Sequence, residues 1–295
     1  MVKLKKWLIA LDFTPHDEKI LQYSEALSQA LMPDEILMLH ILPDSNLPDN
    51  IFQSDADRED YLQEREKGIM QGLKDMKFKY FGHRRDITVN TIILHGSPLP
   101  ELLRFTQDFQ PDLLIVGKKV RSNGSGIVAQ KLARRIHSAI LLVTDSARYP
   151  AKKVLIPTDY SENASRALQF ALQLRPLLND PEIHCLYVYD VPLLLPYKIE
   201  MLPEQMDELY RKNAEEGMDK YLADQGIGQL PIVKVLLKNL HNSPARQIID
   251  YAEEKNINLI IMGAKGHSRL ESLILGSTTE KMLQYDHKIP IIIVR

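Results

Sequence analysis

The chain has 295 residues, 44% of them hydrophobic and 26% charged, and a formal net charge of -2. The length suggests about two domains. The near-zero charge gives no reason to expect a nucleic-acid or membrane-surface partner. A single cysteine, Cys185, cannot form an internal disulfide and fits a reducing compartment. No apolar run is long enough for a signal-peptide core or a membrane span. We therefore expect a cytoplasmic protein.

The sequence is an internal duplication. KKWLIALDFT, from Lys5, matches KKVLIPTDYS, from Lys152, which lies 147 positions later. LHGSP, from Leu94, matches LHNSP, from Leu240, at almost the same offset. The polar stretch DSARYPAK separates the copies. Such self-similarity predicts two similar domains, 1–146 and 151–295.

In chain order, each copy alternates between apolar strands and amphipathic helices. The first copy reads WLIAL, HDEKILQYSEALSQAL, EILMLHIL, a helix from about Asp57 to Lys79, ITVNTIIL, SPLPELLRFTQDF, LLIVG and ILLVT. The second reads VLIPT, a helix capped by Ser161 or Asn163, IHCLYVYDV, PEQMDELYRKNAEEGMDKYLADQG, PIVKVLL, SPARQIIDYAEEKN, LIIMG, TEKMLQY and PIIIVR. This alternation predicts an α/β fold, in which a parallel sheet is covered by helices on both faces.

Two helices of the second copy carry more specific signals. Ser243 precedes Pro244, which predicts a helix with a serine cap and proline at its first position. The longer helix before it has an apolar side at helical spacing. The residues on that side are Met206, Leu209, Met218 and Tyr221.

Glycines cluster near the end of the second copy, in GAKGHSRLESLILGST. Gly263 ends a strand, so this loop lies at the carboxyl edge of the sheet, where open α/β sheets bind ligands. Glycine lets a backbone turn and approach a ligand closely. Gly276 and Ser277 directly precede a helix, whose first N–H groups favour an anion. Lys265 and His267 can add positive charge. The segment therefore predicts a site for a phosphate chain.

Asp159 ends the first strand of the second copy and should reach the same edge. Its carboxylate can accept hydrogen bonds from an amine or a hydroxyl group of a ligand. Alternatively, it caps only the turn or helix that follows. The sequence leaves both interpretations open.

The glycine spacing G-x2-G-x9-G-[ST] and the Pro157-Thr158-Asp159 strand end resemble the universal stress proteins, in their tandem two-domain form. The resemblance implies two five-stranded parallel sheets in the order 3-2-1-4-5. It also implies pairing through the last strands as an intramolecular pseudo-dimer. In nucleotide-binding members, ATP lies between the first and fourth strands, with any Mg²⁺ carried by the nucleotide. Whether the fused pair forms a further homodimer is left open.

The resemblance also implies which residues contact the nucleotide. Adenine or ribose would contact Asp159 and the backbone of Pro157 and Thr158. Val188 would contact the base, and the ribose side would be lined by Met262 and Gly263. The phosphates would be surrounded by Lys265, Gly266, His267, Gly276, Ser277, Thr278 and Thr279. Lys265 stands where many members have arginine, which keeps the charge but loses the planar fork.

The first copy departs from this pattern. Asp12 is kept, but Ala10-Leu11 replaces Pro157-Thr158. Val120 replaces the second glycine, and the loop to Gly126 is four residues shorter, with Ile127 in place of the serine. A β-branched valine should obstruct a phosphate chain. We expect Gly124-Ser125-Gly126 to be a flexible turn and the first copy not to bind ATP in the family manner.

The leading functional interpretation is a cytoplasmic ATP-binding module that senses nucleotide in a stress response. We predict no catalytic residues and no metal site built by the protein, so at most slow ATP hydrolysis or self-phosphorylation. One alternative is a nucleotide-independent module that binds a protein partner. Another is an adenylate-transferring enzyme, which is disfavoured because neither first strand is followed by an S-G-G-x-D-S loop.

Overall fold

The computed structural model describes residues 4–43, 54–118, 125–191, 203–227, 230–265, 275–285 and 287–295, without the side chains of 125–127 and 203. The first half contains β1 (Lys6–Leu11), α1 (His16–Leu31), β2 (Glu35–Leu42), α2 (Asp55–Phe81), β3 (Thr88–His95), α3 (Pro98–Phe109), β4 (Leu113–Lys118), α4 (Ser125–Arg135) and β5 (Ala139–Thr144). The second half contains β6 (Lys153–Thr158), α5 (Glu162–Leu174), a 3₁₀ turn (Arg175–Leu178), β7 (Glu182–Tyr189), α6 (Pro203–Asp224), β8 (Ile232–Lys238), α7 (Pro244–Glu254), β9 (Leu259–Gly263), α8 (Ser277–Gln284) and β10 (Ile291–Val294).

The strands form one ten-stranded sheet in the order β3-β2-β1-β4-β5-β10-β9-β6-β7-β8. Each half therefore has the predicted order 3-2-1-4-5, and its strands are parallel. The halves join through an antiparallel pair, β5 and β10, where Leu141 lies opposite Ile292. Both predictions, the strand order and the pairing through the last strands, are confirmed. The antiparallel junction also places the carboxyl ends of the two sets of strands at opposite edges of the sheet.

Helices cover both faces of the sheet because the strands are apolar on both. Trp7 and Ile9 point to one face, whereas Leu8 between them points to the other. Helices α1, α2, α5 and α6 pack on the first face, and helices α3, α4, α7 and α8 pack on the second. Cys185 is fully buried in the first core, as a small hydrophobic residue. Burial raises the pKa of its thiol to about 12.

Two local predictions need correction. Leu209 is 41% exposed on α6 and is not part of the apolar side formed by Met206, Met218 and Tyr221. Ser125 and Gly126 are the first residues of α4, not part of a flexible turn. The helix forms because Ala129, Leu132, Ala133 and Ile136 recur at helical spacing and are buried. Gly124 lies outside the described residues.

The predicted caps are only partly realised. Ser161 is the N-cap of α5, and its hydroxyl accepts a hydrogen bond from the Ala164 N–H. Asn163 lies inside the helix. Ser243 is the N-cap of α7, with Pro244 at the first helical position, but its side chain makes no capping bond. Within the described residues, we find no helix that combines the length and apolarity needed to cross a membrane.

An aromatic residue follows the first strand of each half in the same strained conformation. Phe13 has a φ of 58° and Tyr160 a φ of 64°, both in the left-handed region. A Cβ on Gly72 of α2 would lie 2.7 Å from the Phe13 ring, and one on Gly217 of α6 would lie 3.1 Å from the Tyr160 ring. A glycine in each long helix therefore makes room for the ring. This contact fixes the turn that carries Asp12 or Asp159.

Candidate functional site

The second half has a crevice at the carboxyl ends of β6 and β9, where the strand order reverses. Its cavity has a volume of about 490 Å³. Every predicted site residue that the structure describes lines it. These residues are Pro157, Thr158, Asp159, Val188, Met262, Gly263, Lys265, Gly276, Ser277, Thr278 and Thr279. Gly266 and His267 lie outside the described residues.

Asp159 has a structural role in addition to its place in the crevice. Its Oδ1 accepts a hydrogen bond from the Ser161 N–H at 3.1 Å. The preceding Thr158 hydroxyl accepts one from the Tyr160 N–H at 3.0 Å. These two bonds stabilise the turn between β6 and α5. The capping interpretation of Asp159 therefore holds, and the same carboxylate also faces the cavity.

The start of α8 also lines the crevice. Gly276 is the N-cap, and its N–H donates to the Ala264 carbonyl at 2.9 Å. The Thr279 hydroxyl is buried and donates to the Gly263 carbonyl at 2.9 Å, which ties the helix to β9. Ser277 is exposed and Thr278 half-buried. The remaining hydroxyl groups of Ser277 and Thr278, with the helix N-terminus, make this end suitable for an anion.

Gly263 is required for a reason that the sequence did not reveal. A Cβ at this position would lie 2.7 Å from the Asn163 carbonyl oxygen, in the first turn of α5. The missing side chain therefore lets β9 approach α5. We expected Gly263 to admit a ligand to the backbone, and the structure gives it a packing role as well as a place in the lining of the crevice.

The sequence also missed the apolar wall of the crevice, which is formed by Leu186, Tyr187, Ile248 and Leu275. Tyr187 stacks on Tyr160 with 4.4 Å between ring centroids. Burial raises the pKa of both phenols, so both rings remain neutral at physiological pH. Because these residues follow ordinary strand and helix periodicity, nothing in the sequence distinguished them from the core.

The first half repeats the turn but supports it differently. The Asp12 Oδ1 accepts a hydrogen bond from the Thr14 N–H at 3.1 Å, as Asp159 does from Ser161. Leu11 has no hydroxyl group to match that of Thr158. The Phe13 N–H instead donates a hydrogen bond to the carboxylate of Asp17, on α1, at 2.6 Å. The aspartate therefore stabilises the turn in both halves. Val120 and the Ile127 side chain lie outside the described residues.

Comparison with known proteins decides the family. The model of the universal stress protein family matches twice, at residues 3–144 and 150–295. The chain belongs to the universal stress protein family. It carries two such domains in tandem, as the duplication predicted.

Individual relatives agree with this assignment. A universal stress protein of Methanocaldococcus jannaschii is 31% identical over 144 residues, which are 49% of this chain and 82% of the relative. Universal stress protein YxiE of Bacillus subtilis is 28% identical over 153 residues, covering 48% of this chain and 98% of the relative. The crystal structure of a universal stress protein from Archaeoglobus fulgidus has the same tandem fold, with a TM-score of 0.64 at 18% identity. That alignment covers 99% of this chain and 96% of the other.

Proposed function

We propose that the second-half crevice binds ATP or a related adenine nucleotide. One observation carries the proposal. A single cavity is lined by a carboxylate, Asp159, by a lysine, Lys265, and by a helix N-terminus at Gly276. A nucleotide has the matching polarity, because its base and ribose are neutral hydrogen-bonding groups and its phosphates are anionic.

Each part of a nucleotide has suitable partners along the crevice. The apolar wall with Leu186 and Ile248 suits the flat base, and Val188 also lines the cavity. Asp159 can accept from the amine of the base or from a ribose hydroxyl group. The N-terminus of α8 and Lys265 suit the phosphates, by backbone donation and by charge. Any Mg²⁺ would arrive with the phosphates.

The proposed biological role is nucleotide sensing in a cytoplasmic stress response. In this account the domain 151–295 carries the nucleotide site. The domain 1–146 supplies the partner strand β5 and does not bind ATP. An exposed apolar edge strand is an aggregation hazard, and the β5–β10 pair covers one such edge in each half. We propose no catalytic residue.

Calorimetry on the full chain tests the proposal. ATP should bind at one site per chain. The change Gly276→Val should weaken binding tenfold or more, since a branched side chain would stand where phosphate meets the helix; tenfold is about 1.4 kcal/mol. The N-cap has a φ of -64° and a ψ of 142°, so valine fits the backbone there. The matched change Gly126→Val in the first half should leave ATP binding unaltered.

Three results would contradict this account. Two ATP sites per chain would show that the first half also binds nucleotide. No ATP site in folded protein would favour the nucleotide-independent interaction module. Rapid pyrophosphate release in the presence of an acceptor would point to an adenylate-transferring enzyme.

A further inference from the structure

Asn239, the residue after β8, joins two elements that line the second-half crevice. Its N–H donates to the carbonyl of Tyr189, the last residue of β7, at 2.8 Å. Its Nδ2 donates to the Oδ1 of Asp190 at 2.8 Å, and its Oδ1 accepts from the Ser243 N–H at 3.0 Å. Asn239 therefore ties the carboxyl end of β7 to the start of α7.

The bond to Ser243 gives the start of α7 an acceptor that the serine side chain does not provide. Ser243 is the N-cap of this helix, but its own hydroxyl group makes no capping bond. That hydroxyl group instead lies 3.4 Å from the hydroxyl group of Tyr285, the residue after α8. The first N–H groups of a helix have no partner within the helix, and the Asn239 side chain supplies one from outside.

The first half cannot form this tie at the equivalent position. Strand pairing places Gly96 there, because its N–H donates to the carbonyl of Leu42, the last residue of β2, at 3.1 Å. Glycine has no side chain to form a bridge, and Ser97, the N-cap of α3, follows it directly. In the second half a loop of three residues, 240–242, separates the asparagine from the serine of the helix start. The tie therefore holds a longer loop than the first half has here.

The two elements that Asn239 joins form the part of the crevice suited to the base. Leu186 belongs to β7, and Ile248 belongs to α7. Asn239 itself is not among the residues that line the cavity. The groups suited to the phosphates, Lys265 and the N-terminus of α8, lie on other elements. A change at Asn239 should therefore act on one end of the crevice and not on the other.

We propose that Asn239 is a positioning residue for the base of the nucleotide, which fixes the spacing of the β7 and α7 walls without touching the ligand. This inference rests on the proposed nucleotide function and adds a role outside the lining of the crevice. Without the tie, the loop 240–242 and the start of α7 would have to become ordered when the ligand binds. Such ordering opposes binding and lowers affinity.

Three probes separate the two ends of the crevice. They are ATP, adenosine and inorganic tripolyphosphate, each titrated into the full chain by calorimetry. Asn239→Ala should weaken the binding of ATP and of adenosine roughly tenfold, or about 1.4 kcal/mol. Tripolyphosphate should bind the variant as it binds the wild type, because the phosphate end does not depend on the tie. A general structural defect would instead weaken all three.

An exchange of the two side-chain partners tests the tie itself. Asn239→Asp keeps an acceptor for the Ser243 N–H, but it cannot donate to Asp190 and places two carboxylates together. Adding Asp190→Asn supplies the donor from the other side and restores the original charge. The single change should weaken adenosine binding, and the double variant should recover most of the loss.

A second asparagine controls for a general loss of stability. The Asn258 Oδ1 accepts from the N–H groups of Lys152 and Lys153, both at 3.0 Å, at the amino end of β6 and away from the crevice. Asn258→Ala should lower the free energy of unfolding in urea but leave the affinity for ATP and adenosine unchanged. Asn239→Ala should in addition speed the hydrogen exchange of the Ser243 N–H, which reports the lost bond without any ligand.

Four results would overturn this inference while leaving nucleotide binding intact. They are an equal loss of affinity for ATP and tripolyphosphate, unchanged adenosine binding by Asn239→Ala, no recovery when Asp190→Asn is added to Asn239→Asp, and unchanged exchange of the Ser243 N–H. If the folded wild type binds neither ATP nor adenosine, the proposed function fails and the inference fails with it. The two kinds of failure are therefore distinguishable.

Discussion

The two crevices of this protein share a scaffold and differ in chemistry. Both lie where the first and fourth strands of a half end, and their volumes, about 490 and 440 Å³, are similar. The second combines Lys265 and hydroxyl groups with a helix N-terminus. The described lining of the first is mostly aliphatic with two carboxylates, and Lys119, at the position of Lys265, lies outside the described residues. The comparison teaches that the fold preserves a cavity, whereas a few side chains at strand and helix ends determine which ligand suits it.

The turn after the first strand shows how such a change is accommodated. In the second half the Thr158 hydroxyl accepts the Tyr160 N–H, and in the first half the Asp17 carboxylate accepts the Phe13 N–H. A buried N–H without an acceptor would cost roughly 1–3 kcal/mol. The hydroxyl acceptor that leucine lacks is thus replaced by a carboxylate from α1. The compensation placed a carboxylate inside the crevice.

The largest expected effect comes from breaking the junction between the halves. Leu141 is fully buried in β5 opposite Ile292. Leu141→Asp should lower the free energy of unfolding by about 4 kcal/mol, because it buries an unpaired charge. Urea denaturation should show both halves unfolding together at lower urea concentration. Leu240→Asp, at a position 68% exposed, is the control and should change little. Retention of wild-type stability by Leu141→Asp would show that the halves do not depend on this pair.

A smaller effect should distinguish the matched glycines at the ends of β9 and β4. Gly263→Ala would bring a Cβ to 2.7 Å from a backbone oxygen, that of Asn163. Gly117→Ala would instead meet the Ile20 Cδ1 at 2.9 Å and the His16 ring at 3.0 Å, and side chains can move. We expect Gly263→Ala to lower the free energy of unfolding by about 1–3 kcal/mol and Gly117→Ala to lower it by less. Thermal or urea denaturation measures both changes. Equal losses would contradict the packing role given to Gly263.

The buried carboxylate should make the first half respond to pH. The pKa of Asp17 is raised from 3.8 to about 6, by burial above all. Between these values the unfolded chain has released the proton and the folded chain still holds it. The free energy of unfolding contributed by this group therefore falls as pH rises from about 4 to 6, by at most about 1.4 kcal/mol per pH unit. Subtracting the urea-denaturation profile of Asp17→Asn from that of the wild type isolates this slope. If the free energy of unfolding of the wild type, relative to that of Asp17→Asn, rose with pH over this range, the raised pKa of Asp17 would be contradicted.

The smallest expected effect tests the exchange of acceptors directly. Thr158→Val removes the hydroxyl that accepts a hydrogen bond from the Tyr160 N–H. It should lower the free energy of unfolding by about 1 kcal/mol. Adding Ala164→Asp, which copies Asp17 into the second half, should recover part of the loss in urea denaturation. The same double variant should bind ATP more weakly, because a second carboxylate then stands beside Asp159. A loss of stability that grows when Ala164→Asp is added would contradict the compensation.

The sequence was sufficient for features that repeat or alternate locally. The duplication, the strand order implied by the family resemblance and the place of the glycine segment all followed from it. Helix α4 was missed because Gly124-Ser125-Gly126 was interpreted as a turn, although Ala129, Leu132 and Ile136 carry a helical period. The packing role of Gly263 was not predictable, because its neighbour Asn163 lies a hundred positions earlier in the chain. The substitute acceptor, Asp17, becomes apparent only when the turn is seen folded.

The junction contains further contacts that no local pattern indicates. The buried Lys118 Nζ at the end of β4 donates to the Tyr285 carbonyl at 2.8 Å and lies 2.8 Å from the His287 Nε2. Burial, reinforced by the neighbouring lysine, lowers the pKa of His287 to about 3, so the ring is neutral and can accept from Lys118. Gln130 of α4 donates to the Glu280 carbonyl of α8 at 3.0 Å. These pairs depend on how the two halves meet.

A crystal structure of the full chain grown with ATP and Mg²⁺ tests the central contrast most directly. The account predicts nucleotide density in the second-half crevice, with phosphates at the N-terminus of α8 and the base on the wall formed by Leu186 and Ile248. It predicts no nucleotide beside Asp17 in the first half. Nucleotide in the first-half crevice, or in neither at saturating ATP, would contradict the account.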